Sequence, residues 1–414
     1  MIGSVWPEPC SSGAGLRIME MMQLFLNQQW AVIFASSAAP SEHMADLESL
    51  TIRSVPIMVN DNSFDQFIHE LQPDIVLFDR FTMEEQFGWR VEKHCPDAMR
   101  MIETIDLHCL RHARQLQFKR KPEVVLQVEQ ADLYNEIAVR ELAAVHRSDL
   151  SLLISDYEME LLQAQFAVSP DIIHLCPFMF EKQHMHLSSP AFEKRAHFIS
   201  IGNFRHAPNW DAVLWMQQQI WPLIRSRLPE AQLHIYGAYA PPKAWALHQP
   251  NRGFHVLGRT EQVETVMQQA RVCLAPLRFG AGIKTKLADA MLNGTPSVTT
   301  GIGIEGMHRG LPWAGDVADS AETFADAAVS LYLNADKWVQ AQNNGFRIIQ
   351  HLFDAHTNGE AFIHRLLQVK QTLASHRQQH FTGLMLRHHH QRSTEFMSRW
   401  IEVKNSLPGL NPKD

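Results

Sequence analysis

The sequence predicts an α/β chain built from two doubly wound parallel-sheet lobes facing a central cleft, with a helical extension at the carboxyl end. Three observations predict it. Short apolar runs alternate with helix-period segments along residues 1–180, and a second such series fills residues 190–372. The first helix of the chain follows a glycine-bearing turn, Ser11-Ser12-Gly13-Ala14-Gly15, as in a βαβ unit. Residues 275–300 then compress a buried strand, a glycine-rich turn, two lysines, a helix and another strand into one continuous segment.

In the first series, Ile2 to Trp6 reads as a strand, Leu16 to Leu26 as a helix and Ala31 to Phe34 as the next strand. Further strands are expected at Ile52–Val59, Ile75–Phe78, Met99–Glu103, Leu150–Ile154 and Ile172–Leu175. Helices are expected at Phe64–Leu71, Met83–Lys93 and Gln130–His146. Met1 leaves only a short first strand, so that edge is expected to be incomplete or the true start to lie upstream. Residues 180–196 lack periodicity and read as a linker.

The second series runs through strand His197–Ile201, helix Trp210–Ser226, strands Gln232–Tyr236 and Phe254–Leu257, and helix Glu261–Gln269. It closes with strand Ser297–Thr300 and helices Ala321–Leu333 and Ala335–Ile349. Residues 373–414 read as a helical extension that packs back on the first lobe or meets a partner. They break near Gly383 and end among Pro408, Gly409 and Pro412.

Composition narrows the function. The 414 residues are 45% hydrophobic and 20% charged, ordinary for large globular cores, and the net charge of −7 argues against a general nucleic-acid binder. The five cysteines are scattered with no CxxC pair, which fits reduced thiols in a cytoplasmic protein. No apolar run reaches the ~18 residues of a spanning helix, and no signal peptide is evident, so any membrane contact is expected to be peripheral.

The chemistry concentrates at strand ends. Val272 to Ala275 is a buried-strand run ended by Pro276; Gly280 and Gly282 let a ligand approach the main chain, and Lys284 and Lys286 stand where the next helix begins. A helix N-terminus flanked by lysines favours a diphosphate. Asp289, one turn in, either complements the helix dipole or accepts from ribose hydroxyls. Arg205, in Gly202–Asn209, offers a fork of donors to phosphate or makes a salt bridge, with Asn209 as a helix cap. Asp106, His108 and Arg111 trail a strand of the first lobe and suit an acceptor hydroxyl or acid/base work. The loop bearing Gly13 and Gly15, with Arg17 behind it, contacts phosphate or acceptor, or is a plain turn. His388-His389-His390 makes no chelating face, because adjacent helical residues diverge.

As a set, FISIGNFRHAPNWDAVLWM, LPEAQLHIYG, APLRFGAGIKTKLADAMLNGTPSVTT and GIGIEGM resemble the group 1 (GT4-like) glycosyltransferases of the GT-B fold. The resemblance covers most of the second lobe, and the first lobe looks like the acceptor-binding half. It implies transfer of a sugar from a nucleoside-diphosphate sugar, UDP- or GDP-type, to the hydroxyl of a glycan, lipid or protein acceptor, with retention. It implies neither a resident metal nor a bound cofactor. Arg205 and Lys286 would neutralise the leaving diphosphate, with Lys284 a competing candidate. Gly280 and Gly282 would supply N–H groups, Asp289 would hold the ribose, and Glu305 with Gly306 would lie near the sugar and diphosphate. His108 would approach the transferred sugar, supported by Asp106. The chain departs from the family where two glutamates stand eight positions apart: Asp289 takes the second place, and Ala281 or Gly280 the first. Donor hydroxyls usually held there must be met by main chain or other groups. A sugar-nucleotide epimerase and a non-catalytic sugar-nucleotide-binding scaffold are the alternatives.

Overall fold

The computed structural model describes residues 1–185, 187 and 189–406. Positions 186 and 188 of the expected linker, and Pro408, Gly409 and Pro412, lie outside the described residues, as do the side chains of His389 and His390.

The first lobe is a seven-stranded parallel sheet in the order β3-β2-β1-β4-β5-β6-β7. Its strands are β1 (Ile2–Gly3), β2 (Ile33–Ser36), β3 (Arg53–Pro56), β4 (Ile75–Asp79), β5 (Met99–Glu103), β6 (Leu150–Leu153) and β7 (Ile173–Leu175). The second is a six-stranded parallel sheet ordered β10-β9-β8-β11-β12-β13. It comprises β8 (Ala196–Ile201), β9 (Leu233–Tyr236), β10 (Phe254–Gly258), β11 (Ala270–Ala275), β12 (Ser297–Thr299) and β13 (Gly315–Val317). Both sheets have their order reversal next to the first strand, between β1 and β4 and between β8 and β11. The carboxyl ends of those strands form the crevice in which doubly wound folds bind ligands.

Fully buried Phe34, Phe78, Ile102 and Leu152 in one sheet, and Phe198, Val272, Leu274 and Val298 in the other, account for the near-continuous apolar strand runs. The two-residue β1 lies in the centre of its sheet, not at an edge: Ile2 pairs with Ala35 on one side and Phe78 on the other. Helix Gln130–His146 is divided, because Asn135 leaves the helical conformation and its Oδ1 caps helix Glu136–Arg147 through the Ala138 N–H (3.0 Å). The helix expected at Trp210–Ser226 begins at Ala207 and passes through a π turn, Met216–Ile220, before the segment carrying Pro222. Helix His108–Arg120 was not foreseen; six of its thirteen residues are Arg, Lys or His, and its buried apolar face is only Cys109, Leu110 and Ala113.

The chain crosses between lobes twice at one place. Phe180 leaves the first lobe beside Phe353 to Ala355, which return to it; the Phe180 N–H donates to the Phe353 carbonyl (2.8 Å) and the Ala355 N–H to that of Phe180 (3.1 Å). Helix Ala355–Gln371 then packs Phe362, Leu366 and Val369 into the first-lobe core with Met21, Phe25 and Leu77. On this packing we place the return to the first lobe at Asp354 rather than at residue 373.

Candidate active site

A cleft of ≈ 1180 Å³ lies between the lobes, over the carboxyl ends of both sheets. Its second-lobe wall is the turn after β11 and helix Thr285–Leu292. Gly280 (φ +143°) and Gly282 (φ +67°) hold backbone conformations that disfavour any side chain, and a Cβ on Gly282 would come 2.7 Å from Asp106 Cβ. The Gly282 N–H donates to Glu158 of the first lobe (2.6 Å), so in this arrangement it does not face the cleft as a free phosphate donor. Lys284 is buried at the head of the helix, its Nζ donating to the Gly282 carbonyl (2.5 Å). Burial, with the Arg114 cation adding, lowers its pKa against the opposing pull of the Glu305, Glu158 and Asp106 carboxylates.

Lys286 reaches into the cleft wall, where its Nζ donates to Asn209 Oδ1 (2.7 Å). Burial lowers its pKa to about 8, against the charges of Cys273 and Asp289. Asn209 therefore holds this lysine instead of capping a helix. Burial, with the Glu264 carboxylate adding, raises Asp289 to about 7. Both residues line the cleft.

Arg205 and His206 follow β8. The Arg205 guanidinium lies over the Tyr239 ring, 3.6 Å from its centroid. The Tyr239 hydroxyl donates to the Glu8 carboxylate of the first lobe (2.8 Å to Oε2). His206 stands at the N-terminus of helix Ala207–Trp215. Its pKa falls to about 4, through desolvation in the cleft and repulsion from Arg111, Lys286 and Lys284 that outweigh Asp106. Gly13 and Gly15 line the cleft from the first lobe. A Cβ on Gly13 would sit 2.6 Å from Thr285 Cγ2, so this turn meets the start of the second-lobe helix. The Gly15 N–H is taken by Ser12 Oγ (3.0 Å). Arg17 is turned away: it is fully buried, donating to Glu103 and to the carbonyls of Cys176 and Pro177.

On the first-lobe wall, Asp106 accepts from Arg111 Nη1 (2.5 Å), and its Oδ1 is 3.6 Å from His108 Nε2. Burial opposes ionisation of Asp106, but Arg111 and the flanking histidines hold its pKa below the usual value. His108 packs edge-on against Phe81, and burial lowers its pKa to about 4, so the ring is neutral. Its Nε2 is buried without a hydrogen-bond partner.

The geometry brings together Asp106, His108, Arg205, Lys284, Lys286, Asp289 and the glycines 13, 15, 280 and 282. It does not bring Glu305 and Gly306 to the cleft lining. The Glu305 carboxylate is gripped by Arg114 of helix His108–Arg120, with contacts of 2.6 and 2.7 Å. A Cβ on Gly306 would lie 2.3 Å from Ser155 Oγ. Sequence reasoning missed Arg114, which also donates to the Gly280 carbonyl (2.8 Å), and Glu158. It also missed Arg80, a cleft residue at the β1/β4 switch point with φ +71°, whose Nη1 donates to Ser4 Oγ (2.8 Å). Of these, only Arg80 carried a signal, since it directly follows an apolar strand in a doubly wound sheet.

Two parallel-sheet lobes with a polar, cation-bearing cleft over both sets of strand ends define the GT-B class of fold. Within it, residues 195–334, about a third of the chain and most of the second lobe, match the model for glycosyl transferases group 1. An uncharacterized 44.6 kDa protein in the cps region of Klebsiella pneumoniae is 23% identical over 186 residues. That match spans 43% of this chain and 46%, under half, of the relative. Among solved structures, the sucrose-phosphate synthase of Thermosynechococcus elongatus superposes with a TM-score of 0.63 at 13% identity, covering 89% of this chain and 98% of that one. HepE of Anabaena, in complex with UDP and glucose, gives a TM-score of 0.63 at 12% identity over 88% and 98%. These two likenesses establish the fold.

Proposed function

We propose that the protein is a glycosyltransferase that moves a sugar from a nucleoside-diphosphate sugar to an acceptor hydroxyl in glycan or glycoconjugate synthesis, with retention and without a resident metal. The observation that carries this reading is the convergence of Arg205, Lys284 and Lys286 on the glycine-rich turn and the N-terminus of helix Thr285–Leu292. Such an array of fixed donors and cations suits the charge that develops on a departing diphosphate. Arg205 leaves its stack on Tyr239 to meet the phosphates, and Lys286 supplies the second cation. Asp289 accepts from the ribose. Neutral His108 faces the sugar from the opposite wall, oriented by Asp106.

UDP is our first choice of nucleotide, on the likeness to HepE, whose complex holds UDP and glucose; GDP is the second. All five cysteines are free, which supports a reducing, cytoplasmic compartment. No helix among the described residues is long and apolar enough to cross a membrane, and we assign any membrane contact to the surface.

Calorimetric titration with UDP, UMP and GDP tests the site. The β-phosphate should strengthen binding of UDP over UMP by about tenfold or more, given charge-assisted bonds worth roughly 1.5–3 kcal/mol. Affinity should persist in chelator, and the anomeric configuration of the product, read by NMR, should match that of the donor. Equal binding of UDP and UMP would remove the diphosphate assignment.

A further inference from the structure

Helix Phe381–Ser406 is amphipathic in the reverse sense. The face it turns to the first lobe is small and polar. A Cβ on Gly383 would come 2.3 Å from the His146 carbonyl oxygen, and Arg387 is buried 3.6 Å from Asp149. Ser398 Oγ accepts from Arg90 (2.9 Å) and donates to Asn60 (2.9 Å), while Glu402 pairs with Arg90 (2.6 Å) and Glu395 with Lys93. The opposite face carries the helix's exposed apolar side chains. Phe381 is 65% exposed, Phe396 70% and Trp400 60%, with Met385 and Val403 beside them. In a 3.6-residue helix these five positions fall on one stripe about 33 Å long, as two apolar patches, Phe381 with Met385 and Phe396 with Trp400 and Val403, separated in the sequence by the polar positions His388, His389 and Arg392.

Charge completes the pattern. Residues 381–406 hold four Arg or Lys and three His against two Glu, in a chain of net charge −7. Both glutamates pair with Lys93 and Arg90 of the first lobe, and Arg387 and Arg399 with its Asp149 and Asp65, so these contacts cancel in number and leave the segment its net positive charge. Lys404 Nζ lies 5.3 Å from the centroid of the Trp400 ring, so a cation sits at the aromatic end of the stripe. A second copy of this helix would set two net-positive segments against each other. An anionic lipid surface offsets them, and it accepts a long, narrow stripe that no compact partner is needed to enclose.

We propose that this helix docks the protein on an anionic membrane, laying Phe381, Met385, Phe396, Trp400 and Val403 into the headgroup boundary with Lys404 among the lipid phosphates. The proposal stands on the helix alone and holds whatever reaction the cleft performs. Docking lies along the plane of the bilayer, without spanning it.

Co-sedimentation of the full chain with vesicles tests it, using equimolar phosphatidylglycerol and phosphatidylcholine against pure phosphatidylcholine. The chain should partition to the anionic vesicles, more weakly at high salt, and remain in solution with the neutral ones. The double variant Phe396→Ser/Trp400→Ser should lower that partition by at least about tenfold. Its melting temperature should be unchanged, because both side chains point outward. A chain that stays in solution with both vesicle types overturns the proposal, as does a double variant that partitions like the parent. A parent that elutes as a dimer, which the double variant dissolves, assigns the stripe to a second copy and also overturns it.

Discussion

Arg114 and Glu305 join the two lobes through a bidentate ion pair. Arg114 is fully buried in the first lobe, and its guanidinium also donates to the Gly280 carbonyl of the glycine-rich turn and meets the Tyr157 ring. One first-lobe side chain therefore fixes both the segment after β12 and the glycine-rich loop that forms the second-lobe wall of the cleft. Removing it leaves the Glu305 carboxylate and the Gly280 carbonyl without their donor. Arg114→Met should cost about 3–5 kcal/mol in denaturant unfolding, the range for breaking a buried pair from one side. It should also enlarge the radius of gyration in X-ray scattering as the lobes part. An unchanged radius would show that Glu158, Tyr239 and the remaining contacts close the cleft without it.

Lys286 gives the cleft a pH dependence of defined sign. Its pKa in the fold is lowered to about 8 by burial, so it is a cation below that pH and neutral above. An anion binds the cationic form, and UDP affinity should fall by roughly tenfold or more between pH 7 and 9.5, the limit for one linked proton being tenfold per unit. Lys286→Met should bind more weakly at pH 7 and show a flatter profile. Calorimetric titration across this range decides it, and a profile that Lys286→Met leaves intact would assign the dependence to another group.

A second titration lies far from the cleft, at the amino ends of β8, β9 and β10. His197 stacks on His234 with ring centroids 4.0 Å apart, and His234 meets His255 edge-on. Burial, then the two neighbouring rings, lowers His197 to about 4 from 6.5. Between those values the unfolded chain takes up a proton that the fold refuses. The fold is therefore disfavoured as pH drops through this window, and the effect is absent above 6.5. His197 has φ +46°, a conformation that asparagine tolerates. His197→Asn should therefore gain melting temperature relative to the parent as pH falls from 6.5 to 4.5. A constant difference between the two would refute the assignment.

Much of this molecule is legible in its sequence, for particular reasons. Val272–Ala275 and Met99–Glu103 are strands because parallel sheets covered on both faces require unbroken apolar runs. The glycines at 280 and 282 announce positive φ, and both have it. Arg205 reaches the cleft because it follows the carboxyl end of β8 directly, and Lys284, Lys286 and Asp289 because the glycine-rich turn after β11 leads into the helix that carries them, on the side where doubly wound folds place ligands. Helix His108–Arg120 escaped notice because its polar face dominates its pattern. Its first turn is held by Glu141, whose carboxylate receives the His108 and Cys109 N–H groups across 33 and 32 residues. No local period records such a contact.

The sequence by itself determined two parallel α/β lobes, the glycine-rich turn between β11 and its helix, and the group of side chains around it. Those features are set by near neighbours in the chain: strand periodicity, helix starts and glycine torsions. Tertiary structure alone decided that Glu305 serves Arg114, that Glu158 occupies the Gly282 N–H, that Arg17 is sealed in the core, and that the final helix returns to the first lobe with its apolar face outward. Each depends on partners brought from distant parts of the chain. A charge that looks free in a linear motif is claimed, once the lobes close, by whichever buried opposite charge the fold sets beside it.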